Sequence, residues 1–316
     1  MTHMQSPTDP AQQVTPAQDT IMQTIIIVGY GAMARAITYG LSRIGKYHLE
    51  MCGRDVSKAQ MLINEFALKN ATAIALESSS SNQCDSSHNT LESTQGNALS
   101  IDIQDKIVFL CVKPYGLSSF HYVGRAKAVY SVLAGVSVAT LQSHISAQAY
   151  IRLMPNVAAS QLDSATAAFC VNADMKQAQE ICESFGSVVF VEDEKLIDAS
   201  IATSGSSPAF LALIAQALVD AGVRAGLKRE DSFKLVARTF EGVGLLMHLE
   251  NRTPQEIIDM VTTPGGTTIE GLAVLESSGV RGAIMRACQA SVSKAATSAQ
   301  VALDNPAQDS PSKESQ

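Results

Sequence analysis

The chain has 316 residues, 46% of them hydrophobic and 17% charged, with a formal net charge of −7. It can bury a large core, and at about 100 to 200 residues per domain it reads as two domains. No basic excess is present to grip a phosphate backbone, which argues against nucleic acid, and no run reaches about 18 uninterrupted apolar residues, which argues against a membrane span.

Residues 1–23 and 304–316 are rich in polar residues and proline and are expected to be disordered tails. The start of the chain lacks a basic segment followed by an apolar stretch, so a cytoplasmic protein is expected. The cysteines at 52, 84, 111, 170, 182 and 288 form no Cys-x-x-Cys pair and the histidines no His-x-x-x-His pair. Reduced thiols and no metal site follow as expectations.

Thr24 to Val28 is a β-branched run that ends in Gly29-Tyr30-Gly31-Ala32-Met33-Ala34 and passes into a helical pattern through Leu41. Strand, tight turn and helix in that order are the setting of the Gly-x-Gly-x-x-Gly/Ala fingerprint, in which the glycines let a dinucleotide pyrophosphate approach the backbone and the helix start. Tyr47 to Cys52 is a second strand that reaches Gly53-Arg54, where an NAD-specific site would place an acid on the ribose. Arg54 instead offers a guanidinium that can fork onto a 2′-phosphate, so NADPH is the expected reductant and NADH the alternative. The competing view is a solvated arginine partly neutralised by Asp55.

Residues from about 77 to 100 are rich in Ser, Asn and Gln without a helical or strand period, and read as a mobile insertion. Strands resume at Lys106 to Val112, Ala128 to Leu133 and Tyr150 to Met154, closing on Lys113-Pro114, Ala134-Gly135 and Pro155-Asn156. Ligands of open parallel sheets sit at such carboxyl ends, which suggests one continuous crevice. From Asp198 the pattern turns helical. Ser207-Pro208 is expected to cap a helix that is apolar on most of its circumference, and a helix over 230–249 carries Phe233, Val236, Phe240, Val243 and Met247 on one face. Thr253 to Glu256 starts a short helix, and a last helix is expected near 280–301. These helices are too apolar for a monomer, so a homodimer through this region is expected.

The run Val261 to Glu276, VTTPGGTTIEGLAVLE, is built to receive an anion. Gly265 and Gly266 open the backbone, Thr267 is expected to cap the following helix with Glu270 completing a capping box, and free N–H groups would face the ligand. The Thr268 hydroxyl would lie beside that ligand, close enough to donate a proton. An ordinary helix start is the competing reading.

Taken in order, IIIVGYGAMARAI, FLCVKP, YSVLAG, IRLMPN, TSGSSPAF and VTTPGGTTIEGLAVLE resemble the pyrroline-5-carboxylate reductase family over about residues 24–298. The resemblance implies an α/β fold, with a Rossmann-like doubly wound, mainly parallel sheet over 24–172 and an all-α dimerisation domain over 173–303. It implies NADPH-dependent reduction of 1-pyrroline-5-carboxylate to L-proline, the last step of proline biosynthesis. Gly29, Tyr30, Gly31, Ala32, Met33 and Arg54 would hold the adenosine and pyrophosphate portion of the cofactor. Cys111, Val112, Lys113, Pro114, Leu133, Ala134, Gly135 and Asn156 would lie along its nicotinamide half. The amides of Gly265, Gly266, Thr267 and Thr268 would bind the substrate carboxylate, with Thr268 hydrogen-bonded to the ring nitrogen. Dimers could assemble further into a ring. The chain departs from the family at Ala32, where Asn or Gln is usual, at Ser207 in place of glycine, and at Thr262-Thr263-Pro264 in place of Ser-Pro. The alternatives are a reductase of another small imine or β-hydroxy acid, for which no lysine between 196 and 227 supplies the proton acceptor, and a non-catalytic NADP-binding paralogue.

Overall fold

Ile25, Ile26, Ile27 and Val28 are all buried, and alternate members face opposite sides of a sheet. A strand covered on both faces needs an unbroken apolar run instead of an alternating one, and this is why the segment was legible. The computed structural model describes residues 22–78 and 99–304, so the expected tails, apart from Met22, Gln23 and Asp304, and most of the polar insertion lie outside the described residues.

In chain order the first half comprises β1 (Gln23–Val28), α1 (Ala32–Ile44), β2 (Tyr47–Cys52), α2 (Val56–Glu65), β3 (Ala71–Ala73), β4 (Glu77–Ser78), β5 (Leu99–Asp102) and β6 (Ile107–Leu110). A short 3-10 turn, Pro114–Ser119, leads to β7 (Phe120–Val123) and β8 (Ala126–Ser131), followed by α3 (Val138–His144), β9 (Ala147–Met154), β10 (Ser164–Val171), α4 (Met175–Glu183) and β11 (Gly186–Phe190). Eight strands form the main sheet in the order β11-β10-β9-β8-β6-β1-β2-β3, parallel except where β9 meets β10. Helices α1, α2 and α4 cover one face, and α3 covers the other together with a three-stranded sheet ordered β4-β5-β7. The chain order reverses between β1 and β6, so a crevice opens at their carboxyl ends.

Two expectations need correction here. The sheet does not end near residue 172: α4 and β11 belong to it, with β11 parallel to β10. As an edge strand β11 is only half-buried, with Ser187 and Val189 exposed, and its apolar run Val188-Val189-Phe190 lies beyond the boundary that the sequence placed at 172. The polar stretch 77–100 is also not irregular at its ends, because Glu77 and Ser78 pair with Ser100 and Leu99.

The second half runs through α5 (Lys195–Ala199), α6 (Ser207–Arg224), α7 (Arg229–Leu249), α8 (Pro254–Val261), α9 (Thr267–Ser277) and α10 (Val280–Asp304). Helices α6 and α7 cross closely because Gly222 leaves room for Ser232, whose hydroxyl donates to the Val219 carbonyl at 2.9 Å. Helix α8 starts where expected, and a capping box holds its start: the Thr253 hydroxyl accepts from the Glu256 amide while the Glu256 carboxylate accepts from that of Thr253. Ser207 does not cap α6. The cap position falls on Ser206, which has helical backbone angles and no side-chain cap because the chain arrives from a preceding helical turn. Ser207 lies within the helix and donates to the Thr203 carbonyl at 2.6 Å, so its replacement of glycine causes no backbone strain.

The halves are joined by α10, whose Val292 and Ala295 pack with Met154, Ala167, Ile197 and Ile201. A buried charge group strengthens the joint. Arg152 on β9, only 3% exposed, donates to Glu194 at 2.9 Å and Asp198 at 3.1 Å, and Glu194 also accepts from the amide of Val138 at 2.7 Å.

Candidate active site

The glycine turn is held by its neighbours. Gly29 has φ of +115°, its amide donates to the Cys52 carbonyl at 2.8 Å, and a Cβ there would stand 2.8 Å from the Cys111 carbonyl oxygen. Only glycine fits between the ends of β2 and β6. Gly31 takes the cap position of α1 with extended backbone, and nothing lies within 4 Å of where its Cβ would be. No side chain caps α1, and its first internal donor is the Arg35 amide, bonded to the Gly31 carbonyl at 3.0 Å. The amides of Ala32, Met33 and Ala34 therefore point outward beside an open glycine edge, while the fully buried Ala34 lets the helix sit close on the sheet. This donor set fits a dinucleotide pyrophosphate.

A cavity of about 260 Å³ opens beside this turn. Tyr30, Gly31, Gly53 and Arg54 line one side, and Cys111, Val112, Lys113, Tyr115, Gly116 and Phe120 the other. The Tyr30 ring packs over Gly53, 2.5 Å from where its Cβ would stand. Lys58 stands over that ring at 5.6 Å from its centroid. Asp55 does not neutralise Arg54: it caps α2, accepting from the amide of Ser57 at 3.0 Å and its hydroxyl at 2.6 Å, bonds that hold its carboxyl below the usual range. Arg54 donates instead to the Ser119 hydroxyl at 2.7 Å. Burial pushes the Cys111 thiol up to about 12, so it forms a neutral wall and not a nucleophile.

The remaining sites expected from sequence are only partly brought together. Tyr30, Gly31, Arg54, Cys111, Val112 and Lys113 share the cavity. Pro114 begins the 3-10 turn beside it. Leu133, Ala134 and Gly135 follow β8, with the Leu133 side chain in the core and Gly135 at φ +74°, so the crevice there is bounded by backbone and the exposed Ala134. Asn156 follows β9 with its side chain spent on the Ala158 amide at 3.0 Å, and its own amide donates to Ser164. Neither strand end lines the cavity, which is therefore shorter than the continuous crevice the sequence suggested. Sequence reasoning missed Gly53, Lys58, Tyr115, Gly116, Ser119 and Phe120. Tyr115 and Gly116 follow the strand-end Lys-Pro closely enough to have been found, whereas Ser119 lies 65 residues from its arginine and carries no local signal.

The Pro-Gly-Gly-Thr-Thr turn closes through the Gly266 amide, which donates to the Thr263 carbonyl at 3.0 Å. Gly265 is left-handed at φ +67°, a conformation that favours glycine, and a Cβ on Gly266 would meet the Thr263 hydroxyl at 2.3 Å. The capping box expected of Thr267 and Glu270 does not form. Gly266 is the cap and Thr267 already lies in the first turn of α9, so no side chain occupies the helix head. The amides of Thr267, Thr268 and Ile269 are left to a ligand. Thr268 is half-buried and the turn faces outward, and none of its residues lines the cavity beside Gly31.

The helical half leaves much apolar surface uncovered in the single chain. Leu213 is 72% exposed, Leu249 68%, Met285 67% and Phe233 62%. By length and composition the helical run Lys195–Arg224 is apolar enough to cross a membrane.

Comparison with known proteins gives this surface a different partner. A family model described as pyrroline-5-carboxylate reductase dimerisation matches residues 194–298. The chain is 40% identical to a pyrroline-5-carboxylate reductase of Helicobacter pylori over 279 residues, which cover 86% of this chain and 99% of the relative. Its fold is similar to the 1-pyrroline-5-carboxylate reductase of Streptococcus pyogenes, with a TM-score of 0.67 and 26% identity over 87% of this chain and 98% of the other. It is also similar to that of Coxiella burnetii, with a TM-score of 0.69 and 25% identity over 87% and 97%.

Proposed function

The chain belongs to the pyrroline-5-carboxylate reductase family, and from that premise we infer that it reduces the C=N bond of 1-pyrroline-5-carboxylate to give L-proline. The enzyme is a pyridine-nucleotide oxidoreductase, and we propose NADPH as its reductant.

A bound reduced nicotinamide supplies the hydride that adds to the imine carbon. The protein's own groups hold the reactants and manage the proton. In this reading the amides at the start of α1 hold the pyrophosphate, and Arg54 holds the 2′-phosphate. Cys111 to Pro114, Leu133 to Gly135 and Asn156 flank the nicotinamide half. The amides at the head of α9 hold the substrate carboxylate, fixing the ring so that its nitrogen lies against the Thr268 hydroxyl, which relays one proton from solvent water to that nitrogen and is left neutral, while the carbon receives hydride. No acidic or imidazole base is needed, because the electron-deficient C=N carbon is activated by a proton on nitrogen alone.

The observation that carries this reading is the bare cap at Gly266, which leaves the first amides of α9 without a side-chain partner in the same turn as Thr268. The preference for NADPH is supported by the Arg54 guanidinium at the cavity rim, while the carboxylate of Asp55 is bonded to Ser57 at the start of α2. No residue of the turn lines the cavity in the single chain, and the exposed apolar helices favour a second copy as the means of joining them. A homodimer through the helical half, larger rings built from such dimers and a cytoplasmic location complete the reading.

The deciding experiment mixes the purified protein with NADPH and 1-pyrroline-5-carboxylate and follows absorbance at the nicotinamide band. Steady oxidation with proline as product is expected; no oxidation rejects the reading. Thr268→Ala should lower turnover far more than it weakens NADPH binding, and equal losses would remove Thr268 from the chemistry. Arg54→Ala should erase the preference for NADPH over NADH, and an unchanged preference would leave Arg54 a surface residue.

A further inference from the structure

We propose that Ser119 is a positioning residue for cofactor choice: it holds the Arg54 guanidinium at the rim of the nucleotide cavity and so sets the preference for a dinucleotide bearing a 2′-phosphate. The proposal rests on the reading of Arg54 given above.

The geometry begins at Gly53, where the Tyr30 ring occupies the space a side chain would need beside Arg54. From there the arginine spans to the far wall, where its Nη2 donates to the Ser119 Oγ at 2.7 Å. That hydroxyl is itself well placed. It ends the 3-10 turn Pro114–Ser119, in which Gly116 packs so tightly on Val112 that an added Cβ would lie 3.2 Å away, and the next residue, Phe120, is buried and lines the same cavity.

An exposed arginine samples many rotamers and loses that freedom when it grips a phosphate. One already tied at a single nitrogen has less to lose, and its remaining donors are held where the phosphate arrives. The hydroxyl contributes twice. Because it accepts from the guanidinium, its own proton remains available to donate to a phosphate oxygen. Asp55 cannot compete for Arg54 from its place on α2.

The test measures binding to the full-length protein without catalysis, using 2′,5′-ADP and 5′-AMP in titration calorimetry. Ser119→Ala should weaken 2′,5′-ADP about tenfold, the worth of one hydrogen bond to a charged group, and leave 5′-AMP within about twofold. Ser119→Thr, which keeps the hydroxyl, should restore the difference. In an Arg54→Ala background Ser119→Ala should add little, since there is no guanidinium to position. Equal weakening of both ligands by Ser119→Ala would mean a reshaped cavity and overturn the proposal, as would an effect that persists undiminished without Arg54. If Arg54→Ala abolishes the discrimination and Ser119→Ala leaves it intact, the Arg54 reading stands and the role of Ser119 falls. If neither substitution alters the discrimination, both fall.

Discussion

Gly29 and Cys111 touch through their backbones, with the carbonyl oxygen of Cys111 lying 2.8 Å from the point a Cβ on Gly29 would occupy. Two strand ends are thereby fused into one floor beneath the nucleotide cavity. Gly29→Ala forces a residue with a side chain into φ +115° and against that oxygen. Strain and overpacking together should cost about 3 kcal/mol of stability, and the displaced turn should weaken dinucleotide binding at least about tenfold. Thermal unfolding and calorimetric titration check both, and a variant matching wild type in the two measurements would show that the floor yields freely.

Buried thiols give the protein an alkaline limit. Burial raises Cys52 and Cys111 from 9.0 to about 12 and Cys170 to about 11. Well below 9.0 these thiols are neutral whether the chain is folded or not, and they contribute no pH dependence. Above it the unfolded chain releases protons that the folded chain keeps, so stability falls as pH rises until the folded thiols ionise too. Urea denaturation between pH 8 and about 10.5 should show this decline. A Cys52→Ala, Cys111→Ala, Cys170→Ala variant should decline less steeply, and parallel curves would refute the assignment.

The apolar face of the helical half should hold copies together. Leu213 and Phe233, 72% and 62% exposed in the single chain, are expected to be covered on assembly. Light scattering at micromolar concentration should give at least a dimer for wild type. Leu213→Glu with Phe233→Glu should shift the mass toward the monomer and reduce activity in step. An unaltered mass would place the contact elsewhere.

A mixing experiment shows whether the substrate turn and the nucleotide cavity meet across subunits. Thr268→Ala lacks the proton donor and Gly29→Ala the cofactor floor, so each alone should be nearly inactive. Co-refolded in equal amounts, half the dimers are mixed, and each mixed dimer holds one intact site if the two parts come from different chains. About a quarter of wild-type activity should then return. No recovery would mean that both parts serve the site of their own chain.

Much of this was legible in the sequence because local physics wrote it there. The run before Gly29 had to be continuously apolar to be covered on both faces, and the glycines at 29 and 265 take the left-handed angles that their turns demand. What escaped lacked such pressure. Edge strand β11 is half wet, and β4 pairs through only two residues. The capping of α9 was misplaced by one residue because a threonine looks like a cap, whereas the geometry gives the position to Gly266. The partnership of Arg54 with Ser119 and that of Arg152 with Glu194 and Asp198 belong to the folded chain alone.

That last group has a bearing on motion. A buried cation cannot release its carboxylates without being stranded in a poor solvent, so the connection between sheet and helices resists gradual bending. Because Glu194 also grips the amide of Val138, any slippage of this coupling would pull on the segment that follows Gly135. The joint therefore behaves as a latch with few intermediate settings, and the two halves of the molecule should travel as one body unless the latch opens outright.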